Sequence, residues 1–393
     1  MSEFKNLPSG WSKCDLGEIC KISSSKFDPT KSNEVKKCIE LEHLSQKTGQ
    51  ILGFISSGEQ KSIKNEFKKG QILYGKLRPY LQKFCQAKFD GVCSSEIWVL
   101  QGKKVTNDFL FYLVQSDKFN QIANKTSGTK MPRADWEYMS EMPFFIPPEL
   151  EQKKIAEILS TWDEAINLTI NLIESKKQFK KALMQNLLTA KIRFPQFKDE
   201  WKETKLGKIL KEHKIKSDNK SEVFSVSVHK GIINQIEHLG RSFSAEDTSN
   251  YNLVKPFDLV YTKSPTGDFP FGIIKQNLNP FNVIVSPLYG VFEPINKFLG
   301  TLLHYFFESS IRTNNYLKPI IQKGAKNTIN ISNDTFLSRS ILVPINLDEQ
   351  QKIAEVLMAC DDEINLLNLK LENLKKQKQG LMQKLLSGKV RVK

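Results

Sequence analysis

Apolar residues recurring at alternating steps of four and three mark two stretches of the chain as long amphipathic helices. In the later stretch Ile353, Leu357, Cys360, Ile364, Leu367, Leu371, Leu374, Leu381 and Leu385 trace the heptad seam of a coiled coil. In the earlier one Ile155, Leu159, Trp162, Ile166, Ile173, Leu183 and Leu187 hold the same seam, interrupted by the polar Thr169, Lys176 and Lys180. Lys378 is the counterpart of Lys180, and polar residues at matched seam positions suggest control of register. Each helix has a start signal: Pro147-Pro148 with Glu149 and Glu151 in the first turn, and Asn346-x-x-Glu349, which fits a capping box. Gly388 supplies a stop for the second. Roughly 36 residues at about 1.5 Å each make a rod of about 54 Å, longer than a small domain needs. A pair of ordinary core helices is the alternative.

The two stretches are copies. IAEILSTWDEAINL from Ile155 recurs as IAEVLMACDDEINL from Ile353, and LMQNLLTAKIR from Leu183 recurs as LMQKLLSGKVR from Leu381, both 198 residues on. A weaker echo pairs Trp11-x4-Leu16-Gly17 with Trp201-x4-Leu206-Gly207, so each half is a variable region followed by a shared one. The expected division is 1–147, a central helix over 148–193, 194–345, and a C-terminal helix over 346–393. The variable regions, roughly 10–147 and 200–344, read as mixed α/β, with short strands at Gln71–Tyr74, Glu96–Leu100, Asp258–Tyr261 and Asn282–Val285 between Gly, Pro, Asn and Ser clusters. One helix each is expected near their ends, over Asp108–Ala123 and Lys297–Ser309. The expected fold class is α+β: two mixed α/β domains separated by two long antiparallel coiled-coil helices, as a pseudo-two-fold internal repeat.

Composition narrows the partners. At 393 residues the chain exceeds one ordinary core, and 58 Lys and Arg against 43 Asp and Glu give a formal charge of +15, which favours polyanions such as nucleic acid or an anionic membrane. No run approaches the ~18 apolar residues of a membrane span, and Met1 to Trp11 lack a signal-peptide core, so a cytoplasmic protein is expected. Cys14, Cys20, Cys38, Cys85, Cys93 and Cys360 form no C-x-x-C pair and the five histidines are scattered, which supports neither a metal site nor a disulfide framework.

Catalytic motifs fail on inspection. Gly70-Gln-Ile-Leu-Tyr-Gly75-Lys76 approaches the phosphate-binding P-loop, but Leu77 stands where Ser or Thr should hold magnesium, and Ile72 to Tyr74 suit a strand. Glu151-Gln152-Lys153 has the carboxylate-x-lysine form of metal-dependent nucleases, yet so do Glu59-Gln60-Lys61 and Glu66-Phe67-Lys68, and Gln351 replaces the lysine in the second copy. Asn279-Pro280-Phe281 is the nearest approach to an adenine methyltransferase motif, with no cofactor loop. What remains are basic and aromatic side chains in loops, suited to DNA contact: Lys76, Arg78, Tyr80 and Lys83; Lys130 and Arg133; Lys263, Ser264 and Thr266; Lys323, Lys326 and Asn327. Solvated turns are the competing account of any one of them.

Over nearly its whole length the chain resembles the specificity subunits of Type I restriction-modification systems. The likeness is carried by GWSKCDLGEI, GQILYGKLRPYL, the SGTKMPR loop, IPPELEQKKIAEIL, RFPQFKDEWKETKLGKI and VPINLDEQQKIAEVL, the Glu-Gln string before a long helix being the most specific. The resemblance implies a non-catalytic chain in which two target recognition domains each read half of an asymmetric bipartite DNA site and the helices act as spacer. It also implies two methyltransferase subunits and translocating endonuclease subunits as partners. S-adenosylmethionine, ATP and magnesium would then be bound only by those partners, with methylation at adenine N6. Trp11, Trp201 and the Glu-Gln strings carry over as structural or docking positions. Three alternatives stay open: a free-standing bipartite DNA-binding regulator, a nuclease or methyltransferase, which would need activity from the isolated chain, and a purely structural coiled-coil protein.

Overall fold

The computed structural model describes residues 8–125, 131–241, 244, 247–323 and 329–392. They form two compact units: Met1–Asn171 together with Leu369–Lys393, and Leu172–Asn368. The central helix, Glu149–Leu187, and the C-terminal helix, Leu347–Leu386, each contribute to both.

In the first unit the chain opens with Ser12–Asp15, antiparallel to Pro143–Ile146. An antiparallel sheet follows in the order Cys20–Ile22, Ile97–Gly102, Ile72–Gly75, Phe84–Gln86. The strand Ile72–Gly75 is wholly buried, which removes the P-loop reading, because a central strand cannot wrap a phosphate. A second sheet of five short strands runs Lys26–Phe27, Lys64–Phe67, Gly91–Cys93, Lys37–Ile39, Ile55–Ser56, with one parallel pair. Ile72, Tyr74, Leu100 and Phe109 share a core with Ile155 and Leu159 of the central helix and Met382 and Leu385 of the C-terminal helix.

The second unit repeats the scaffold. Lys202–Lys205 pairs with Ser340–Val343, and the four-stranded sheet keeps the same order: Leu210–Glu212, Gly290–Pro294, Leu259–Tyr261, Ile274–Gln276. The second sheet recurs in the same order with shorter pairings: Lys216 bridges Asn252–Val254, which pairs antiparallel with Val283–Val285, a parallel bridge joins Ile284 to Val223, and Phe224–Ser227 pairs antiparallel with Gly231–Asn234. Met184, Leu187 and Leu188 pack with Leu302, Tyr305, Ile353 and Leu357.

The single helix expected over Asp108–Ala123 is two, whereas the one expected over Lys297–Ser309 is a single helix, Lys297–Glu308, followed by a further helix, Ser310–Leu317. Asn107–Leu113 stops and Asp117–Ala123 restarts because Ser116 Oγ accepts from the Phe119 N–H at 3.2 Å and donates to the Leu113 carbonyl at 2.7 Å, capping one helix and closing the other. Lys297–Glu308 gives way to Ser310–Leu317 at Ser309, which caps Arg312 in the same manner. The long helices begin where their signals predict, but the capping box at Asn346 is half made. Asn346 Oδ1 accepts from the Asp348 and Glu349 N–H groups, whereas the Glu349 side chain turns to Arg193. Gly388, at φ 70°, closes the C-terminal helix.

The seam is buried at Ile155, Leu159, Ile166, Ile173 and Leu187 and at Ile353, Leu357, Ile364, Leu371 and Leu385. Trp162, Cys360, Leu367 and Leu374 are half-buried. Toward the helix ends the seam widens: Leu183 and Leu381 are only partly buried, while Met184, Leu188 and Met382 are covered, because there the helix also packs on the shorter helices of its unit.

Candidate nucleic-acid interface

The buried strand Ile72–Gly75 ends in a turn that the fold ties to a segment far along the chain. The Arg78 N–H donates to the Pro132 carbonyl at 2.7 Å, the Ala134 N–H to the Lys76 carbonyl at 2.9 Å, and Leu77 bridges Arg133. The backbones of Lys76, Arg78 and Arg133 are thereby brought together, which the sequence reading, placing them in two separate loops, had not foreseen. Arg78 and Gln82 are both left-handed, at φ 52° and 49°, conformations that cost a non-glycine residue about 1–3 kcal/mol and that the surrounding backbone bonds hold in place. Between them Tyr80 stands 53% exposed. Among the described residues the side chains of Lys76, Arg78 and Tyr80 have no hydrogen-bond or ionic partner.

Two of the expected contact residues are already engaged. Arg133 binds Glu96 through Nε and Nη2 at 3.0 and 3.1 Å, which raises its pKa and leaves the Nη1 donors for any further contact. Lys83 donates to the Leu41 carbonyl at 2.6 Å and anchors a neighbouring turn. Lys130 lies outside the described residues.

In the second unit the corresponding loop follows Leu259–Tyr261. Lys263, at φ 57°, is half-buried, and burial pushes its amine pKa down against the opposing pull of Glu212. Ser264 and Thr266 are exposed, and Thr266 exchanges two backbone hydrogen bonds with Phe269, at 3.0 and 2.9 Å, so the loop closes on itself. The backbone of Lys323 pairs with Ile329. Lys326 and Asn327 lie outside the described residues.

Beneath each loop system the recognition region is seated on the long helices by polar contacts that the sequence reading left unassigned. In the first unit Asp163 accepts from Tyr112 Oη at 3.0 Å and from Lys378 Nζ at 2.6 Å. In the second, Asp361 accepts from Tyr305 Oη at 2.6 Å and from Lys180 Nζ at 2.7 Å. Each lysine also lies over its tyrosine ring, at 5.3 and 4.8 Å, and burial followed by the nearby aspartate pushes both tyrosine pKa values up. The Glu-Gln strings complete the seat. Gln152 Oε1 accepts from the N–H of Thr106, the cap of Asn107–Leu113, at 3.0 Å, and Gln350 Oε1 accepts from the side chain of Asn296, the cap of Lys297–Glu308, at 3.0 Å. Glu151 and Glu349 are gripped by Arg391 and Arg193. The repeat held the signal for these residues, since each Glu, Asp, Lys and Arg recurs 198 positions on.

The Type I restriction modification DNA specificity domain matches residues 8–176 and 198–376, one match for each half of the repeat. The chain belongs to this family. It is similar to the EcoDI specificity subunit of Escherichia coli, at 32% identity over 43% of this chain and 39% of that subunit, so this alignment spans well under half of that relative. It is also similar to the MjaVIII specificity subunit of Methanocaldococcus jannaschii, at 28% identity over 77% of this chain and 75% of that one. In fold it resembles the Type I S subunit of M. genitalium, with a TM-score of 0.58 and 15% identity over 98% of both chains. Membership places this specificity subunit among the non-catalytic components of a restriction-modification complex, and DNA recognition is the family's part in it. Among the described residues no helix is long and apolar enough to cross a membrane.

Proposed function

We propose that this specificity subunit reads an asymmetric bipartite DNA site, one half with each recognition region. The observation that carries the reading is the split between what the two units share and what they do not. Both sheets, the helix beside them and the seat recur, while the loop residues they carry diverge, Lys76-Leu77-Arg78-Pro79-Tyr80 against Lys263-Ser264-Pro265-Thr266. Base edges are read by side chains and phosphates only position them, so unlike reading surfaces on like scaffolds call for unlike half-sites. Arg78 and Tyr80 in the first region offer side chains without a partner among the described residues, and Ser264 and Thr266 in the second offer exposed hydroxyls that donate to the Thr262 and Ser264 carbonyls and can still accept. The helices, of 39 and 40 residues, act as the ruler between half-sites.

Two methyltransferase subunits and endonuclease-translocase subunits are the partners in this reading, and they bring S-adenosylmethionine, ATP and magnesium. The complex works in the cytoplasm, where the DNA is. The test exchanges residues 10–147 for the corresponding region of a relative and maps methylated bases before and after. One half-site should change and the other persist. A change in both halves, or a palindromic target without a gap, would refute one region reading one half-site.

A further inference from the structure

The turn that ends Ile72–Gly75 is backed by a second loop that the sequence reading did not single out. Between Ile39 and Ile55 the chain folds into a small hairpin of its own. Leu44 bridges Ile51, the Leu52 N–H donates to the His43 carbonyl at 2.8 Å, and the Ser45 N–H donates to the Gln50 carbonyl at 3.1 Å. Its tip, Gln46-Lys47-Thr48, is exposed. The tip is docked on the Arg78 turn, with Gln46 bridging Lys83 and the Lys47 N–H donating to the Gln82 carbonyl at 3.0 Å. Its base is held as well: Lys83 Nζ donates to the Leu41 carbonyl at 2.6 Å, and Gln50 Nε2 donates to Asn167 Oδ1 of the central helix, also at 2.6 Å. Gly75, from the motif that approached a P-loop, permits this closeness. A Cβ there would lie 2.9 Å from Leu41 Cδ2 and 3.3 Å from the Lys83 carbonyl oxygen.

Lys47, at φ 61°, joins Arg78 and Gln82 in the left-handed region, so three non-glycine residues in that conformation meet where the two loops touch. Strain of this kind gathers where a surface is shaped for a ligand. Among the described residues the side chains of Gln46 and Lys47 have no hydrogen-bond or ionic partner, like those of Arg78 and Tyr80. The second region lacks the hairpin. Val223 makes the parallel bridge to Ile284 that Cys38 makes to Val92, which equates the two strands. From there Phe224–Ser227 runs on in four pairs with Gly231–Asn234, whereas the first region stops after Lys37 with Ser56 and Cys38 with Ile55 and gives the connection to the hairpin.

We propose that this hairpin is a specificity-determining element of the first region, in which Gln46 reads a base edge and Lys47 meets a phosphate. A Gln amide presents a donor beside an acceptor, the pair that an adenine edge answers in the major groove, while an ammonium is a point charge suited to phosphate. The bracing fixes the backbone under both side chains before DNA arrives, so little ordering cost falls on binding. The inference rests on the reading that the first region contacts one half-site, and it adds an element without which the second region reads the other.

The experiment uses the assembled complex and a duplex carrying its mapped methylation target, alongside duplexes changed at each base pair. Gln46→Ala should relax the preference at one base pair of the first half-site by about 5- to 150-fold and leave the salt dependence intact. Lys47→Gly, which suits the left-handed backbone, should lower affinity for every duplex, reduce the slope of log affinity against log salt by about 0.9, and leave Tm unchanged or higher. Preferences in the second half-site should persist in both variants. If the exchange of residues 10–147 moves the first half-site while both variants keep the original preference and slope, the hairpin falls and the half-site reading stands. A uniform loss in Gln46→Ala, loss of preference at both half-sites, or a lowered Tm in Lys47→Gly that accounts for its weaker binding would give the hairpin a structural part only and overturn the proposal equally.

Discussion

Arg391, near the end of the chain, grips the carboxylate of Glu151 through Nε at 2.8 Å and Nη2 at 2.9 Å, and the Trp11 indole N–H donates to the same carboxylate at 3.1 Å. Arg193 and Glu349 make the equivalent pair at 2.8 and 2.8 Å, but there the buried Trp201 indole N–H has no partner among the described residues. The first latch is the better satisfied of the two. Burial works against the Glu151 charge, yet the bonds from Arg391, Trp11 and the Val392 N–H outweigh it and hold the carboxyl below the usual range.

A depressed carboxyl contributes stability that is complete above its unfolded pKa and lost as pH falls through the folded one. The first unit should therefore weaken below about pH 4, with Glu151 among the causes. E151Q should lower Tm at neutral pH and flatten its decline between about pH 5 and 3. An unchanged acid slope in E151Q would remove the latch from the explanation.

The seat tyrosines should matter to stability in proportion to their one polar bond. Tyr305→Phe removes a hydrogen bond to a carboxylate, worth about 2 kcal/mol. Leu357→Ala, at a fully buried seam position, should cost about 2–5 kcal/mol through the cavity it leaves. Urea unfolding checks both, and a Tyr305→Phe loss as large as that of Leu357→Ala would mean that the ring packing, not the hydroxyl, had been disturbed.

Arg78 and Lys83 lie in one turn but should behave differently. In the assembled complex, neutralising the unpartnered Arg78 should weaken DNA binding and reduce the slope of log affinity against log salt by about 0.9 if it meets a phosphate. Loss of preference at one base pair with the slope intact would make it a base reader instead. Lys83→Met should leave the slope alone and lower stability, because its amine is bound to the Leu41 carbonyl. Titrations at several salt concentrations separate these outcomes.

If the helices are the ruler, inserting whole helical turns into both should lengthen the unspecified gap in the methylated target while each half-site persists. Sequencing of methylated bases reads this directly, and an unchanged gap would deny the helices that role.

The repeat, the strands and the helix starts were legible because they depend on local periodicity and on residues that stop or cap an element. Three features were not. The break at Ser116 hides inside a helix-spaced apolar run, where Phe109, Leu110, Leu113, Phe119 and Ile122 keep their spacing across the gap. The engagement of Arg133 by Glu96 and of Lys83 by Leu41 joins residues distant in sequence, so composition could mark them as basic but not as occupied. The seat was half legible: Lys180 and Lys378 stood out as polar seam residues, but their tyrosines come from the variable regions, where no repeat aligned them.

The membership of Leu369–Lys393 in the first unit carries a consequence for how the protein is made. Met382 and Leu385 complete the core begun by Ile155 and Leu159, and Lys378 and Arg391 supply the cations that Asp163 and Glu151 await. The second unit is one continuous stretch, Leu172–Asn368, so all of it has been translated before those last residues appear. Even Asp163, late in the first stretch of that unit, must wait for roughly 200 more residues before Lys378 appears, on the order of 10–40 s at ~5–20 residues per second. Throughout that interval the later-made unit can close while the earlier-made one stays open along the face of Leu159. A nascent chain released early would carry a finished second region beside an unfinished first, and chaperones or proteases would meet that open face before any DNA did.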